Sequence, residues 1–254
     1  MSKIVILTGA GISAESGIET FRAEDGLWAQ HRVEDVATPE GFARDPAMVV
    51  NFYNARRKQA ANATPNAAHK ALAKLQQLYA GQVVIITQNV DDLHERGGSR
   101  DVLHMHGALN SALCVACEHR WPAAMTMAPG DACPKCLAPA ARPDIVWFGE
   151  MPYDIDAIFD HLAQASIFAA IGTSGNVYPA AGFVAEAHRN GAHTVELNLE
   201  RSAVGGQFAE HRTGPATRVV SEWVEELLAK PVQPRDSFKY RYLQCPTFRI
   251  QAVR

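Results

Sequence analysis

The sequence predicts an α/β fold: a mostly parallel sheet with helices on both faces, interrupted by a smaller cysteine-bearing module. Three observations carry this prediction. Short apolar runs alternate with stretches of helical periodicity, the first run feeds directly into a glycine-rich turn, and two C-x2-C pairs stand fifteen residues apart.

The first element is Ile4-Val5-Ile6-Leu7, a buried strand that opens onto Gly9-Ala10-Gly11-Ile12-Ser13-Ala14. The spacing Gly9-x-Gly11-x-x-Ala14 fits the Rossmann-like dinucleotide fingerprint. There the first glycine makes the tight turn, the second admits phosphate, and the third small residue lets a helix pack on the strand. Small residues after a first strand also serve plain packing. A hydride-transfer enzyme would continue into a second strand ending in an acidic residue about 20 positions on. Residues 22–35 hold charges and a glycine but no apolar run, so a long loop is expected and a cofactor held differently from a dehydrogenase's.

Further along, Thr64-Pro65 reads as N-cap and first helical position, followed by the stripe Ala67, Ala68, Ala71, Leu72, Leu75 and Leu78. Gly81 closes this helix ahead of a strand over 83–87. A helix near 155–165 leads to a strand over 167–171, a helix near 179–189 to a strand over 193–197, and a last helix spans 222–229. Strands spaced by helices imply parallel pairing with both faces covered.

Composition excludes several function classes. A net charge of -3 gives no case for nucleic acid, and no apolar stretch is long enough to span a bilayer. The N-terminal apolar run ends after four residues in a turn that belongs to the fold, so a cytoplasmic protein is expected. With 47% apolar residues the chain can bury a large core, and a monomer is the expectation.

Cys114, Cys117, Cys133 and Cys136 have the spacing of a structural zinc site, because each C-x2-C pair can turn two thiolates onto one point and two pairs complete a tetrahedron. The surrounding segment is turn-rich and needs such a staple. A nucleic-acid-binding ribbon is disfavoured, since between 107 and 141 only Arg120 and Lys135 are cationic.

Ligands of open parallel sheets gather outside the carboxyl ends of the strands. Three polar clusters stand there: Gln88-Asn89-Val90-Asp91, Gly172-Thr173-Ser174 and Asn198-Leu199-Glu200. Any one of them could be ordinary turn chemistry; together they would line one crevice. Before the first cysteine lies Leu103-His104-Met105-His106, in which extended backbone would put both histidines on one face. Either could be a general base, and spacing does not choose between them.

Gly9-Ala10-Gly11-Ile12-Ser13, Phe21-Arg22, Gln88-Asn89-Val90-Asp91, His106-Gly107, the paired C-x2-C and Gly172-Thr173-Ser174, in that order, resemble the sirtuins, NAD-dependent protein lysine deacylases. The similarity runs from about residue 4 to about 228. Gly17 to Arg22 departs from the common G-I-P-D-F-R form, with Thr20 in place of Asp.

The resemblance implies a catalytic core over 1–230. Its large domain would take about 1–25, 65–106 and 144–230, and a small module the insertions 26–64 and 107–143. It implies NAD as co-substrate and acylated-lysine proteins as partners. His106 would be the general base toward a ribose hydroxyl. Asn89 and Asp91 would line the nicotinamide pocket, Gln88 the ribose, and Arg22 the glycine-rich loop, with Phe21, Trp28, Gly9, Ala10, Gly11 and Ser13 also binding the cofactor. Thr173 and Ser174 would hold ribose and phosphate, Asn198 the adenosine ribose, and Ala216 the adenine side, with Gly172 and Glu200 also binding the cofactor. Val146, Phe148 and Gly149 resemble the strand that pairs with substrate peptide. The expected products are lysine, nicotinamide and O-acyl-ADP-ribose.

Tyr53 and Arg56, three residues apart on an expected helix, share a face. A guanidinium fork and a phenol make a clamp for a carboxylate, and this Y-x-x-R pair resembles that of class III sirtuins, which remove succinyl, malonyl and glutaryl groups. Read without the family, a solvated basic helix face continuing into Arg57 and Lys58 is the stronger alternative. The rivals in function are a sirtuin acting mainly as a deacetylase or as a protein ADP-ribosyltransferase and, from another class, a non-catalytic NAD or ADP-ribose sensor. Residues 231–254 form a basic tail, five cations against one acid for a net +4, with Cys245 as an odd thiol and no assigned role.

Overall fold

The structure, a computed structural model, describes residues 2–18 and 31–229. At its centre β1 (Lys3–Thr8), β2 (Gln82–Thr87), β3 (Leu103–His104), β7 (Ile167–Ile171), β8 (His193–Asn198) and β9 (Glu210–Thr213) form a six-stranded sheet in the order β3-β2-β1-β7-β8-β9. Every pairing in it is parallel. Strand order reverses between β1 and β7, so the crevice expected of such sheets opens at their carboxyl ends.

Alternation along the strands divides the core. Val5, Leu7, Val84, Ile86, Phe168 and Ala170 face α6 (Ile155–Ala163) and α7 (Phe183–Arg189). Ile4, Ile6, Ile85, Ala169, Val195 and Leu197 face α4 (Ala67–Leu78) and α8 (Ala216–Ala229). Burial on both faces is why these strands read as continuous apolar runs rather than alternating ones.

A second, antiparallel sheet is built from β4 (Gly107–Cys114), β5 (Arg120–Pro122) and β6 (Ala141–Ile145), with β4 in the middle. On it lies α3 (Pro46–Asn62), preceded by the short helices α1 (Val33–Val36) and α2 (Pro39–Arg44). Asp45 starts α3 by accepting the Met48 amide, with Pro46 in the first turn. One short helix, α5 (Leu93–Arg96), follows β2.

The structure corrects several expectations. The N-cap of α4 is Asn66, not Thr64. The Asn66 side-chain oxygen accepts the Ala68 and His69 amides, while its NH2 donates to the Ile12 carbonyl and the Ser16 hydroxyl, tying the helix start to the glycine-rich turn. The last helix begins at Ala216 rather than at the expected 222, because Glu15 reaches across to accept from the backbone N–H and hydroxyl of Thr217. Directly after β1, Ala10–Ile12 and Ala14–Ser16 form two short 3-10 turns. The 222–229 stripe showed only the part of α8 with an obvious apolar pattern.

The glycines of the first turn also have a packing reason. A Cβ on Gly9 would stand 2.8 Å from the Gly172 carbonyl oxygen, and one on Gly11 would stand 2.7 Å from the Gly172 Cα. The Gly11 amide donates to the Gly172 carbonyl at 2.8 Å. The two turns are backbone against backbone, and Gly172 itself holds φ +61° with the Ile12 nitrogen 2.4 Å from where its Cβ would lie. Substitution Gly172→Ala is therefore expected to cost at least about 1–3 kcal/mol of stability. Urea denaturation of the variant checks this, and an unchanged midpoint would contradict the contact.

Candidate active site

The carboxyl ends of β1, β2, β7 and β8 open into one cavity of about 600 Å³, the size of a site for a cofactor or drug-sized ligand. Gly9, Ala10, Gly11 and Ser13 line it from β1, Gln88, Asn89 and Asp91 from β2, and Gly172, Thr173 and Ser174 from β7. Asn198 and Glu200 follow β8, and Ala216 opens α8. From the antiparallel side come Tyr53, Arg56, His106, Val146, Phe148 and Gly149. Phe21, Arg22 and Trp28 lie outside the described residues, as do Cys245 and the basic tail.

The strand ends are joined by their own polar groups. The Gln88 amide donates to the Thr173 hydroxyl at 2.9 Å, and the Asn198 amide donates to the Thr173 carbonyl at 2.8 Å, so β2, β7 and β8 present one continuous polar rim. Deeper, Ser13 is fully buried and its hydroxyl stands between two of the expected nicotinamide-pocket residues. It accepts from the Asn89 amide at 3.2 Å and donates to the Asp91 carboxylate at 3.2 Å. Burial raises the Asp91 pKa, opposed by the hydrogen bonds from the Leu93 amide and Ser13. His69 approaches the same hydroxyl through Nε2 at 3.4 Å. Burial lowers its pKa to about 4, so it is neutral at pH 7. Sequence reading missed His69, whose only signal was a histidine at a helix N-terminus.

The two histidines that spacing could not separate part here. The strand ends at His104, and Met105-His106 turns away, so the pair does not share an extended face. His104 donates from Nδ1 to the Asn89 carbonyl at 3.2 Å and from Nε2 to Glu95 at 2.8 Å. Burial opposes its charge, but the hydrogen bond and charge of Glu95, the Asn89 carbonyl and the charge of Asp91 together outweigh burial and raise the pKa. With both nitrogens facing acceptors, His104 has no lone pair to offer.

His106 lines the cavity. Its Nδ1 meets the Gln88 carbonyl at 3.2 Å; a carbonyl only accepts, so Nδ1 carries the proton and Nε2 the lone pair. Burial lowers its pKa, with the Gln88 bond acting weakly against it. Gly107, at φ +78°, makes the sharp turn that follows; a Cβ there would lie 2.1 Å from the Asp144 carbonyl oxygen.

Tyr53 and Arg56 project from α3 into the cavity. Burial pushes the Tyr53 hydroxyl up to about 12, while the nearby Arg56 charge pulls it down. Burial lowers the Arg56 pKa, opposed by Tyr53 and Asp91. The alternative of a solvated basic face fails on Arg57, which is buried and donates to the Leu109 carbonyl at 2.6 Å and the Asn54 side chain at 2.7 Å. Only Lys58 of that run stays exposed.

The segment 146–150 is not a strand. The amides of Val146 and Phe148 are committed to the His106 and Ala37 carbonyls, and that of Trp147 to the Glu150 carboxylate. A peptide laid along it meets no free amide at these three positions.

Away from the cavity, all four cysteine sulfurs lie within 4.8 Å of one another, with Cys114–Cys136 at 3.6 Å and Cys117–Cys133 at 3.8 Å. Thiolates about 2.3 Å from a central zinc stand about 3.8 Å apart, whereas a disulfide needs about 2 Å, so the cluster fits one tetrahedral zinc with no position left for water. Each knuckle turns back through a left-handed residue, Glu118 at φ 58° and Leu137 at φ 61°.

The Sir2 family model matches residues 9–179. A curated "NAD-dependent protein deacylase" of Escherichia coli O6:H1 is 58% identical over 229 residues, covering 89% of this chain and 84% of the relative. The protein of the same name from Vibrio cholerae is 55% identical over 237 residues, 92% of this chain and 96% of its own. Among solved structures, a Sir2 homologue in complex with NAD has 39% identity and a TM-score of 0.82, covering 89% of both chains. A mutant Sir2 homologue in complex with ADP-ribose matches with the same score and identity, covering 89% of this chain and 91% of its own. The chain belongs to the Sir2 family. No helix among the described residues is long and apolar enough to cross a membrane.

Metal analysis of the purified protein is expected to give one zinc per chain, and stripping it with a strong chelator should lower the melting temperature; a metal-free protein of unchanged stability would contradict the assignment. Because burial holds His106 below the ordinary histidine pKa, its neutral form persists into more acidic solution. The acid limb of kcat/KM is accordingly expected to have its midpoint below about 6.5. A midpoint above that value would exclude His106 as the group titrating.

Proposed function

We propose that the protein is an NAD-dependent protein lysine deacylase that favours acyl groups ending in a carboxylate, succinyl and malonyl among them, and also removes acetyl. One observation carries the finer part of this reading: Tyr53 and Arg56 line the same cavity as His106, with a guanidinium and a protonated phenol side by side. A distal carboxylate would take a charge-assisted fork from Arg56 and one further donor from Tyr53.

NAD supplies an electrophilic ribose carbon and nicotinamide as the leaving group. The protein's part is positioning. The polar rim of Gln88, Thr173 and Asn198 suits the ribose and phosphate oxygens, and Asn89 and Asp91, joined through Ser13, suit the nicotinamide amide. Neutral His106, anchored at Nδ1, takes a proton from a ribose hydroxyl at Nε2 so that the oxygen can attack the acyl carbon. The names of the curated relatives support deacylation. Catalysis would belong to the parallel-sheet domain over about 1–25, 65–106 and 144–230, with the insertions 26–64 and 107–143 as the zinc-bearing module. Substrates would be acylated-lysine proteins met in the cytoplasm by a monomer, with no nucleic acid or membrane.

The test offers one lysine peptide in acetyl and succinyl forms to the purified protein, with and without NAD, and follows products by mass spectrometry. NAD-dependent O-succinyl-ADP-ribose formation is expected. In the Tyr53→Phe, Arg56→Met double variant the succinyl-to-acetyl ratio of kcat/KM should fall about 100-fold or more, two donor side chains being lost at about 1.5 kcal/mol or more each. Equal loss of both activities would remove the acidic-acyl preference; NAD binding without turnover of either peptide would favour the sensor. His106→Tyr should abolish turnover and leave NAD binding measurable.

A further inference from the structure

Tyr53 does not meet the cavity as a free phenol. Its hydroxyl accepts the indole Nε1–H of Trp147 at 3.0 Å, the one hydrogen bond it makes among the described residues. An indole nitrogen only donates, whereas a phenol has one proton and two lone pairs. The bond to Trp147 therefore occupies a lone pair and leaves the Tyr53 proton without an acceptor among the described residues. Tyr53 is buried to 1% exposure and Trp147 to 2%, so water has little access to compete for that geometry.

Trp147 is itself held. Its backbone N–H donates to Glu150 Oε2 at 2.9 Å, and its ring lies under the Arg142 guanidinium, 4.1 Å from the centroid. Arg142 in turn donates to both oxygens of Glu150, at 2.9 and 3.1 Å. Phe42 packs against the indole at 5.2 Å between ring centres. Arg142, Glu150 and Phe42 thus fix the direction of one N–H, and that N–H fixes the rotation of one phenol.

We propose that Trp147 is a positioning residue for acyl specificity: its N–H turns the Tyr53 proton toward the cavity, where it meets the distal carboxylate of a dicarboxylic acyl-lysine. This rests on the acidic-acyl reading above. An acetyl group ends in a methyl and makes no use of the oriented proton, so the contribution of Trp147 is selective for substrate. The indole does not touch the reacting atoms; it acts through Tyr53, and its effect falls on KM for the acidic substrate rather than on kcat.

The experiment is a double-mutant cycle on the full chain, with kcat and KM measured separately for succinyl and acetyl forms of one peptide. Trp147→Phe is expected to raise the succinyl KM about tenfold relative to the acetyl KM, the effect of misdirecting one charge-assisted hydrogen bond. In a Tyr53→Phe background the same change should shift the ratio no further. Where the smaller ring perturbs folding, β-(3-benzothienyl)alanine in place of Trp147 keeps the bicyclic shape and drops only the N–H; it should reproduce the succinyl-specific rise in KM. A rise shared equally by both substrates, or one that adds fully to Tyr53→Phe, overturns the role of Trp147 while leaving the clamp intact. A Tyr53→Phe variant with an unchanged succinyl-to-acetyl ratio overturns the acidic-acyl reading and this proposal together.

Discussion

Contact between two bare backbones at the carboxyl ends of β1 and β7 sets the geometry from which the rest of the cavity follows. Gly9 and Gly11 stand against Gly172 with no room for a side chain on any of the three, and the Gly11 amide bonds the Gly172 carbonyl. This closes the floor of the crevice where strand order reverses. It also sends the Gly9–Ala14 turn outward over the end of the sheet, so that Ser13 comes down beside Asn89 and Asp91. A residue larger than glycine at any of these positions would separate β1 from β7 at the point where their polar turns need to share one ligand.

Above this floor the cavity mixes two electrostatic regimes. Along the strand ends, amides and hydroxyls satisfy one another and remain partly exposed. Toward α3 and the antiparallel sheet, Tyr53 and Asp91 are buried and Arg56 is half-buried, and burial pushes each toward its neutral form. A charged ligand group entering the second region would exchange lost hydration for fixed donors.

The parallel sheet was legible because its strands are buried on both faces and therefore continuous in apolar sequence. β2, β7 and β8 lie within a residue of their expected positions. The cysteine cluster was legible from spacing alone. What the sequence hid were interactions between distant side chains. Asn66 supplanted Thr64 as a helix cap because its amide also reaches Ile12 and Ser16, and α8 began early because Glu15, far away in sequence, caps it. The difference between His104 and His106 was invisible for the same reason, since Glu95 sits on another element. Likewise the run Arg56-Arg57-Lys58 looks uniformly basic, yet its three members point into the cavity, into the protein interior and into solvent.

Arg57 acts as a mechanical fastener. Its guanidinium bonds the Leu109 carbonyl on β4, the Asn54 side chain one turn back on α3, and the Met125 carbonyl and Met127 sulfur between the two cysteine knuckles. Asn54 adds a reciprocal pair of bonds to the Met127 backbone. These bonds bolt α3 to the metal-bearing sheet, so the helix cannot slide along its axis or roll without dragging the knuckles with it. The depth and angle at which Tyr53 and Arg56 enter the cavity are thereby referenced to the cysteine framework and not to a loop, and this side of the cavity has the tolerance of a rigid bracket.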